Sequence, residues 1–284
     1  MPLNHLETWI GRQEVRRDIC DANRFVRLAA TLDHEAPPWH AGLLPPLGHW
    51  LCFLPHERQS LLGADGHPLR TGDGVLPDVD LPRRMWAGSR IRFLHDVALD
   101  SRLIRTSTLI AATPKEGRSG TMLFATLRHE IAGETGAVAI VEDQDIVYRE
   151  APAPGAPPLR TAEPAVEPGG ATRSLTADAA LLLRYSALTF NAHRIHYDRD
   201  YARDVEGYPD LVVHGPLVAT LLLDHLLRDR PDARIATYEF RALSPLFVGE
   251  EMTLALARQG GDVALSAVGP TGVVMRATVG LAQK

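Results

Sequence analysis

HGPLVATLLLDHLL, His214 to Leu227, is apolar on nearly every face. A helix with that pattern belongs inside a protein, not on its surface. What surrounds it then decides the fold. A shorter helical pattern, ADAALLLRYSAL from Ala177, precedes it, and the loop FNAHRIHYD, Phe190 to Asp198, lies between the two. Four strand patterns follow: ATYEFRAL, MTLALARQ, VALSAVGP and GVVMRATVGLA. Gly260-Gly261-Asp262 separates two of them as a hairpin turn. One buried helix against an antiparallel sheet is the unit this order predicts.

The unit occurs twice in outline. Upstream, NRFVRLAATL stands where LLRYSALTF stands, and AGLLPPLGHWLCFL, Ala41 to Leu54, where VVHGPLVATLLL stands. SRIRFLHDVAL matches TYEFRALSPLF, and RLIRTSTLIAAT, GTMLFATLRHEI and AVAIVEDQDIVY continue as strands. Between the copies lies APAPGAPPLRTAEPAVEPGG. Its proline and glycine content excludes helix and strand interiors and reads as an extended linker. The expected division is residues 1–150, a linker at 151–170, and 171–284. The fold class is α+β, two units each wrapping a long buried helix in a curved sheet.

Composition excludes several functions. The chain has 284 residues, a formal net charge of -5 and two cysteines, Cys20 and Cys52. An acidic balance argues against nucleic acid as a partner. Both cysteines lie in apolar surroundings and read as reduced core residues. No apolar run approaches the roughly 18 residues that span a bilayer. A cytoplasmic protein is expected. No GxGxxG, GxxxxGK[ST] or GxSxG motif occurs, which removes nucleotide-fold and serine-hydrolase readings. His193 and His196 lack a third ligand in sequence, so no metal is expected.

The loop FNAHRIHYD holds three groups able to hydrogen-bond or move protons: Asn191, His193 and His196. HGPL follows, offering a glycine N–H at a helix start. A base near neutral pKa and a preformed donor for a nascent oxyanion are what proton transfer next to a carbonyl needs. The first copy has Leu32-Asp33-His34-Glu35 in place of this loop and no match to its histidine spacing. The second copy is therefore expected to carry the chemistry, and the first to support structure and substrate binding.

These residues resemble the MaoC-like, (R)-specific enoyl-CoA hydratases, a hot-dog family. Its pattern runs Ser-Gly-Asp-x-Asn-Pro-(Ile/Leu)-His and then His-Gly-(Met/Pro)-Leu. Here the strings are Thr189 to His196 and His214 to Leu217, with FRALSPLFVGEEMTL, Phe240 to Leu254, following. The whole chain resembles the two-hot-dog branch with the type 2 hydroxyacyl-thioester dehydratases and the mesaconyl-CoA, 3-methylfumaryl-CoA and itaconyl-CoA hydratases. FNxHRIHYD, VVHGPL and LPRRMWAGSRIRF, Leu81 to Phe93, carry that likeness. Where the family has its aspartate this chain has Asn191, and an amide is no general base.

The resemblance implies reversible hydration of a 2-enoyl-CoA, or dehydration of a 3-hydroxyacyl-CoA, with a short or methyl-branched dicarboxylic acyl group. It implies His196 as acid/base, Asn191 holding the water and the Gly215 N–H meeting the enolate oxygen. His193 and His214 would support substrate binding. Arg83, Arg84 and Trp86 would receive coenzyme A phosphates or a charged acyl end, and Arg194 a dicarboxylic tail. Asp198 and Asp200 would cap the next short helix. Hot-dog sheets pair edge to edge, so the two sheets are expected to do so within the chain, and a homodimer of such chains is expected; no cofactor is expected beyond coenzyme A as part of the substrate. The other readings are a fatty-acid (R)-3-hydroxyacyl-thioester dehydratase, a hot-dog thioesterase and a non-catalytic acyl-CoA binding protein.

Overall fold

A computed structural model describes residues 3–70, 72–117, 120–151 and 169–282. Most of the expected linker, residues 152–168, lies outside the described residues.

Ten strands form one antiparallel sheet. The first five are β1 (Gln13–Ile19), β2 (Arg83–Phe93), β3 (Arg102–Gly117), β4 (Gly120–Ala132) and β5 (Val138–Arg149). The last five are β6 (Thr172–Thr176), β7 (Ile235–Ala242), β8 (Glu251–Gln259), β9 (Asp262–Gly269) and β10 (Gly272–Leu281). Their order is β1-β3-β4-β5-β2-β7-β10-β9-β8-β6. Each half thus has the same internal order, and the halves meet where β2 pairs with β7, Arg90 opposite Glu239. At that seam a Cβ on Gly88 would collide with the carbonyl oxygen of Phe240, so only glycine fits there. The repeat, the strands and the edge-to-edge pairing all follow the sequence reading. Strands β1 and β6 gave no sequence signal.

Helix α1 (Ala22–Thr31) and helix α2 (Ala179–Thr189) are the two short helices, and they pack on each other. Each is N-capped by an aspartate, Asp21 accepting from the Asn23 N–H and Asp178 from the Leu181 N–H. Helix α3 (Gly215–Asp229) is the apolar stretch of the opening quotation, and every residue from Leu217 to Leu226 is buried. It packs against β8, β9 and β10. The Tyr238 hydroxyl donates to the Ala219 carbonyl at 2.8 Å, tying β7 to α3.

One expected element is absent. Ala41 to Leu54 does not form the first half's long helix, but a single tight turn, Gly48–Leu51. Pro45 and Pro46 supply no N–H, and Leu47 sits in the left-handed region at φ 65. Leu47, Leu51, Cys52 and Phe53 are buried all the same and join the core that α3 occupies. The first half therefore fills its sheet with an irregular apolar strap. Cys20 and Cys52 are both buried and unbridged.

Candidate active site

The FNAHRIHYD loop is set by the end of α2. Phe190 caps that helix in the left-handed region, and the Asn191 N–H donates to the Ser186 carbonyl at 2.9 Å. Asn191 Oδ1 accepts the His193 N–H at 3.0 Å, folding the loop back on itself. A short helical turn, Arg194–His196, then carries His196 inward, where it is buried.

His196 Nδ1 donates to the Val212 carbonyl oxygen at 2.7 Å. That bond fixes the tautomer and leaves Nε2 as a bare acceptor. Its ring stacks on His214, centroids 3.6 Å apart and planes 18° apart. His193 meets His196 edge-on at 5.5 Å. Burial pushes His196 down to about 4 and His193 to about 2, and it holds His214 well below the usual imidazole range. All three are neutral near pH 7. Neutrality is what lets His196 and His214 stack, since two stacked imidazolium rings would repel. His214 Nε2 shares a hydrogen bond of 2.9 Å with the Ser186 hydroxyl.

His214 is also the residue before α3, so Gly215 opens the helix with an N–H that has no intrahelical partner. A Cβ on Gly215 would meet nothing within 4 Å. The glycine is therefore not a packing requirement; it keeps the floor of a cavity clear. That cavity has a volume of about 1660 Å³ and is lined by both halves. Asn191, His193, His196, His214 and Gly215 reach it from the second half, and Arg84, Trp86, Trp50 and His67 from the first.

Two expected binding residues do not reach it. Arg83 donates to the Glu206 backbone carbonyl and pairs with the Glu206 carboxylate at 3.0 Å. Arg194 is held by Asp198 Oδ2 at 2.7 Å, by the Ala64 carbonyl at 3.0 Å, and over the Tyr201 ring at 4.1 Å. Both guanidinium groups are consumed in joining segments together, so neither is positioned for a substrate carboxylate. Arg84 and Trp86 do line the cavity, Trp86 with its N–H donated to Ser89 Oγ at 3.0 Å. Asp198 accepts the Tyr201 N–H at 3.0 Å and caps the next turn, Tyr201–Val205, whereas Asp200 makes no cap.

The sequence reading missed one cluster within the first half and one that spans the two halves. Glu142 is fully enclosed and accepts from Ser89 Oγ at 2.6 Å, His49 Nε2 at 2.9 Å and Trp50 Nε1 at 3.0 Å. Burial alone would raise its pKa, but these bonds and the neighbouring histidines hold it at about 2. The second cluster is Asp65, His67 and His193. Asp65 Oδ2 accepts from His67 Nδ1 at 2.9 Å, and the His67 and His193 rings lie 4.0 Å apart. One donor atom from each of the three falls within 4.8 Å of the others, the only such grouping among the described residues. The carboxylate is already bonded to one ring and the Arg84 charge acts on both rings, so the arrangement reads as a hydrogen-bonded pair beside a third ring. Periodicity could not find either cluster, because its members come from separate segments.

Comparison with known proteins agrees with this geometry. Residues 47–248 match the family "Hydroxyacyl-thioester dehydratase type 2". The chain belongs to the type 2 hydroxyacyl-thioester dehydratases. Membership makes it a hydro-lyase. Within reach of that family, it is 46% identical to the mesaconyl-C(4)-CoA hydratase of Chloroflexus aurantiacus, over 96% of both chains. A MaoC-like dehydratase from Phytophthora capsici superposes with a TM-score of 0.71 at 14% identity, covering all of both chains. A Mycobacterium tuberculosis protein described as a double hotdog fold superposes with a TM-score of 0.57 at 16% identity, over 97% of this chain and 96% of that one. The double hot-dog fold expected from the sequence is the fold observed.

Proposed function

We propose that the chain adds water reversibly to the double bond of a short dicarboxylic 2-enoyl-CoA, of the mesaconyl-C4-CoA kind, in the cytoplasm. The observation that carries the reading is the pairing of a neutral, tautomer-fixed His196 with the open N-terminus of α3 in one cavity. The thioester makes the β-carbon electrophilic. His196 Nε2 takes a proton from the attacking water, and the enolate oxygen that develops meets the Gly215 N–H. Asn191 shapes the loop that presents the two histidines. In dehydration the same groups act in reverse.

The acyl group is supported by the C. aurantiacus relative and by charge. Arg105 lines the first-half part of the cavity over Phe53 at 4.9 Å and makes no ion pair within 4 Å among the described residues, although the Glu14 and Glu142 carboxylates act on it from farther off. An unpaired guanidinium suits a carboxylate. Residues 1–150 would then hold the charged acyl end, and residues 171–284 would do the chemistry. The exposed Val15, Ile19 and Ile104 on the outer edge of the sheet suit a homodimer contact.

A panel of enoyl-CoA thioesters tests the reading. Loss of enoyl absorbance without thiol release, fastest on dicarboxylic substrates, is expected. Preference for monocarboxylic chains would favour the fatty-acid dehydratase, thiol release a thioesterase, and binding without turnover a carrier or sensor.

A further inference from the structure

We propose that His67, held by Asp65, is a second catalytic residue, supplied by the first half of the chain: its Nε2 accepts the second O–H of the attacking water. The inference rests on the hydration reading above. A water that must strike one carbon has to be aimed, and it has two O–H groups to place. His196 takes one.

The residue expected from sequence to hold the other is Asn191. Its oxygen already accepts the His193 N–H, so one of its two lone pairs is taken. Glu142 is the other buried carboxylate near the cavity, and its oxygens are occupied by His49, Trp50 and Ser89. His193 has neither ring nitrogen tied, so nothing selects its tautomer. His67 differs from all of these. Its Nδ1–H points to Asp65 Oδ2 at 2.9 Å, which leaves Nε2 bare. His196 uses the same device with the Val212 carbonyl. Each imidazole thus has one nitrogen anchored and one free to accept, and both line the same cavity.

The position of His67 is built, not incidental. The Arg194 N–H donates to the Asp65 carbonyl at 2.9 Å, and Arg194 Nη1 to the Ala64 carbonyl at 3.0 Å. A Cβ on Gly66 would collide with the carbonyl oxygen of Ala192, so the two loops touch backbone to backbone. Asp65 also accepts the His67 backbone N–H at 3.0 Å. Burial keeps His67 below the ordinary imidazole range, opposed by Asp65 and aided by Arg84 and Arg70, while Asp65 stays ionised. A neutral acceptor results.

One O–H bond of water breaks and its proton passes to His196 Nε2. The oxygen bonds to the β-carbon, and the π pair moves toward the thioester. His196 then returns the proton to the α-carbon, while His67 only accepts a hydrogen bond throughout.

The test uses the full chain with its best enoyl-CoA substrate. His67→Leu should lower kcat by about 10²-fold, with KM changed by less than about threefold. His67→Gln, whose amide oxygen can accept, should recover at least about tenfold of that loss if the role is acceptance of a hydrogen bond. Asp65→Asn should also lower kcat, because an amide N–H opposite Nδ1 permits the tautomer in which Nε2 carries the proton. Thermal melts of each variant verify folding. Wild-type kcat in His67→Leu, or His67→Gln no better than His67→Leu with both folded, overturns this inference alone. A wild-type chain that hydrates no enoyl-CoA overturns the hydration reading and this inference with it.

Discussion

The two halves share a strand order and differ in what they lay on it. The second half carries a fifteen-residue helix, α3, nearly all of it buried. The first half has a proline-broken strap in the same place, with one short turn at Gly48–Leu51. The strap still supplies apolar side chains to the common core, so the sheet is served equally by either solution. What the strap cannot supply is a helix N-terminus aimed at the cavity. The proposed oxyanion donor, the Gly215 N–H, therefore lies in the second half. The loop after the strap contributes something else: Asp65 and His67, pressed against the FNAHRIHYD loop from across the seam.

The sharpest way to break this contrast is to remove one histidine from each half. His196→Ala should lower kcat by roughly 10²–10⁴-fold with substrate binding largely kept. His49→Ala removes one donor from buried Glu142 and should cost stability with turnover in the folded enzyme near wild type. Steady-state kinetics and melting curves on both variants decide. Near-normal turnover in His196→Ala, or abolished turnover in a folded His49→Ala, would reverse the division of labour.

The next effect concerns α3 as the shared core. Leu222→Ala deletes a side chain with no exposure at the centre of that helix, and a loss of about 2–5 kcal/mol in denaturant unfolding is expected. A loss under about 1 kcal/mol would mean that α3 is less central to the core than its burial implies.

The smallest effect is a pH dependence that sharpens the role of burial. His196 is held near 4, so it stays a base well below the ordinary imidazole pKa. The acid limb of kcat/KM should fall near pH 4–5, and a limb at about 6.5 would contradict a desolvated base. Stability follows the same sign. Between about pH 6.5 and 4 the unfolded chain binds protons at His193, His196 and His214 that the folded chain refuses. Melting temperature should therefore fall as pH drops through that window and be insensitive to these groups above it.

Much of this was legible before any coordinates. The apolar helix, the glycine hairpin, the repeated strand patterns and the spacing from Asn191 through His196 to Gly215 are local features. They depend on side-chain period, backbone freedom and helix-start chemistry, all of which act within a few residues. Other features required the closed fold. Arg83 and Arg194 look like free cations in sequence, yet each finds a closer partner once Glu206 and Asp198 are in place. Asn191 looks like a water holder in sequence, and the fold adds that its oxygen also closes its own loop.

Sequence alone determined the two repeated units and the second-half end of the site, because those are written in periodicity and in adjacent residues. Only the tertiary structure decided that the first half would lose its helix at Leu47, and that Asp65 and His67 would face His193 and His196. The first outcome turns on the local backbone at Pro45, Pro46 and Leu47, whereas the second depends on contacts between segments more than a hundred residues apart, a distance no local pattern encodes.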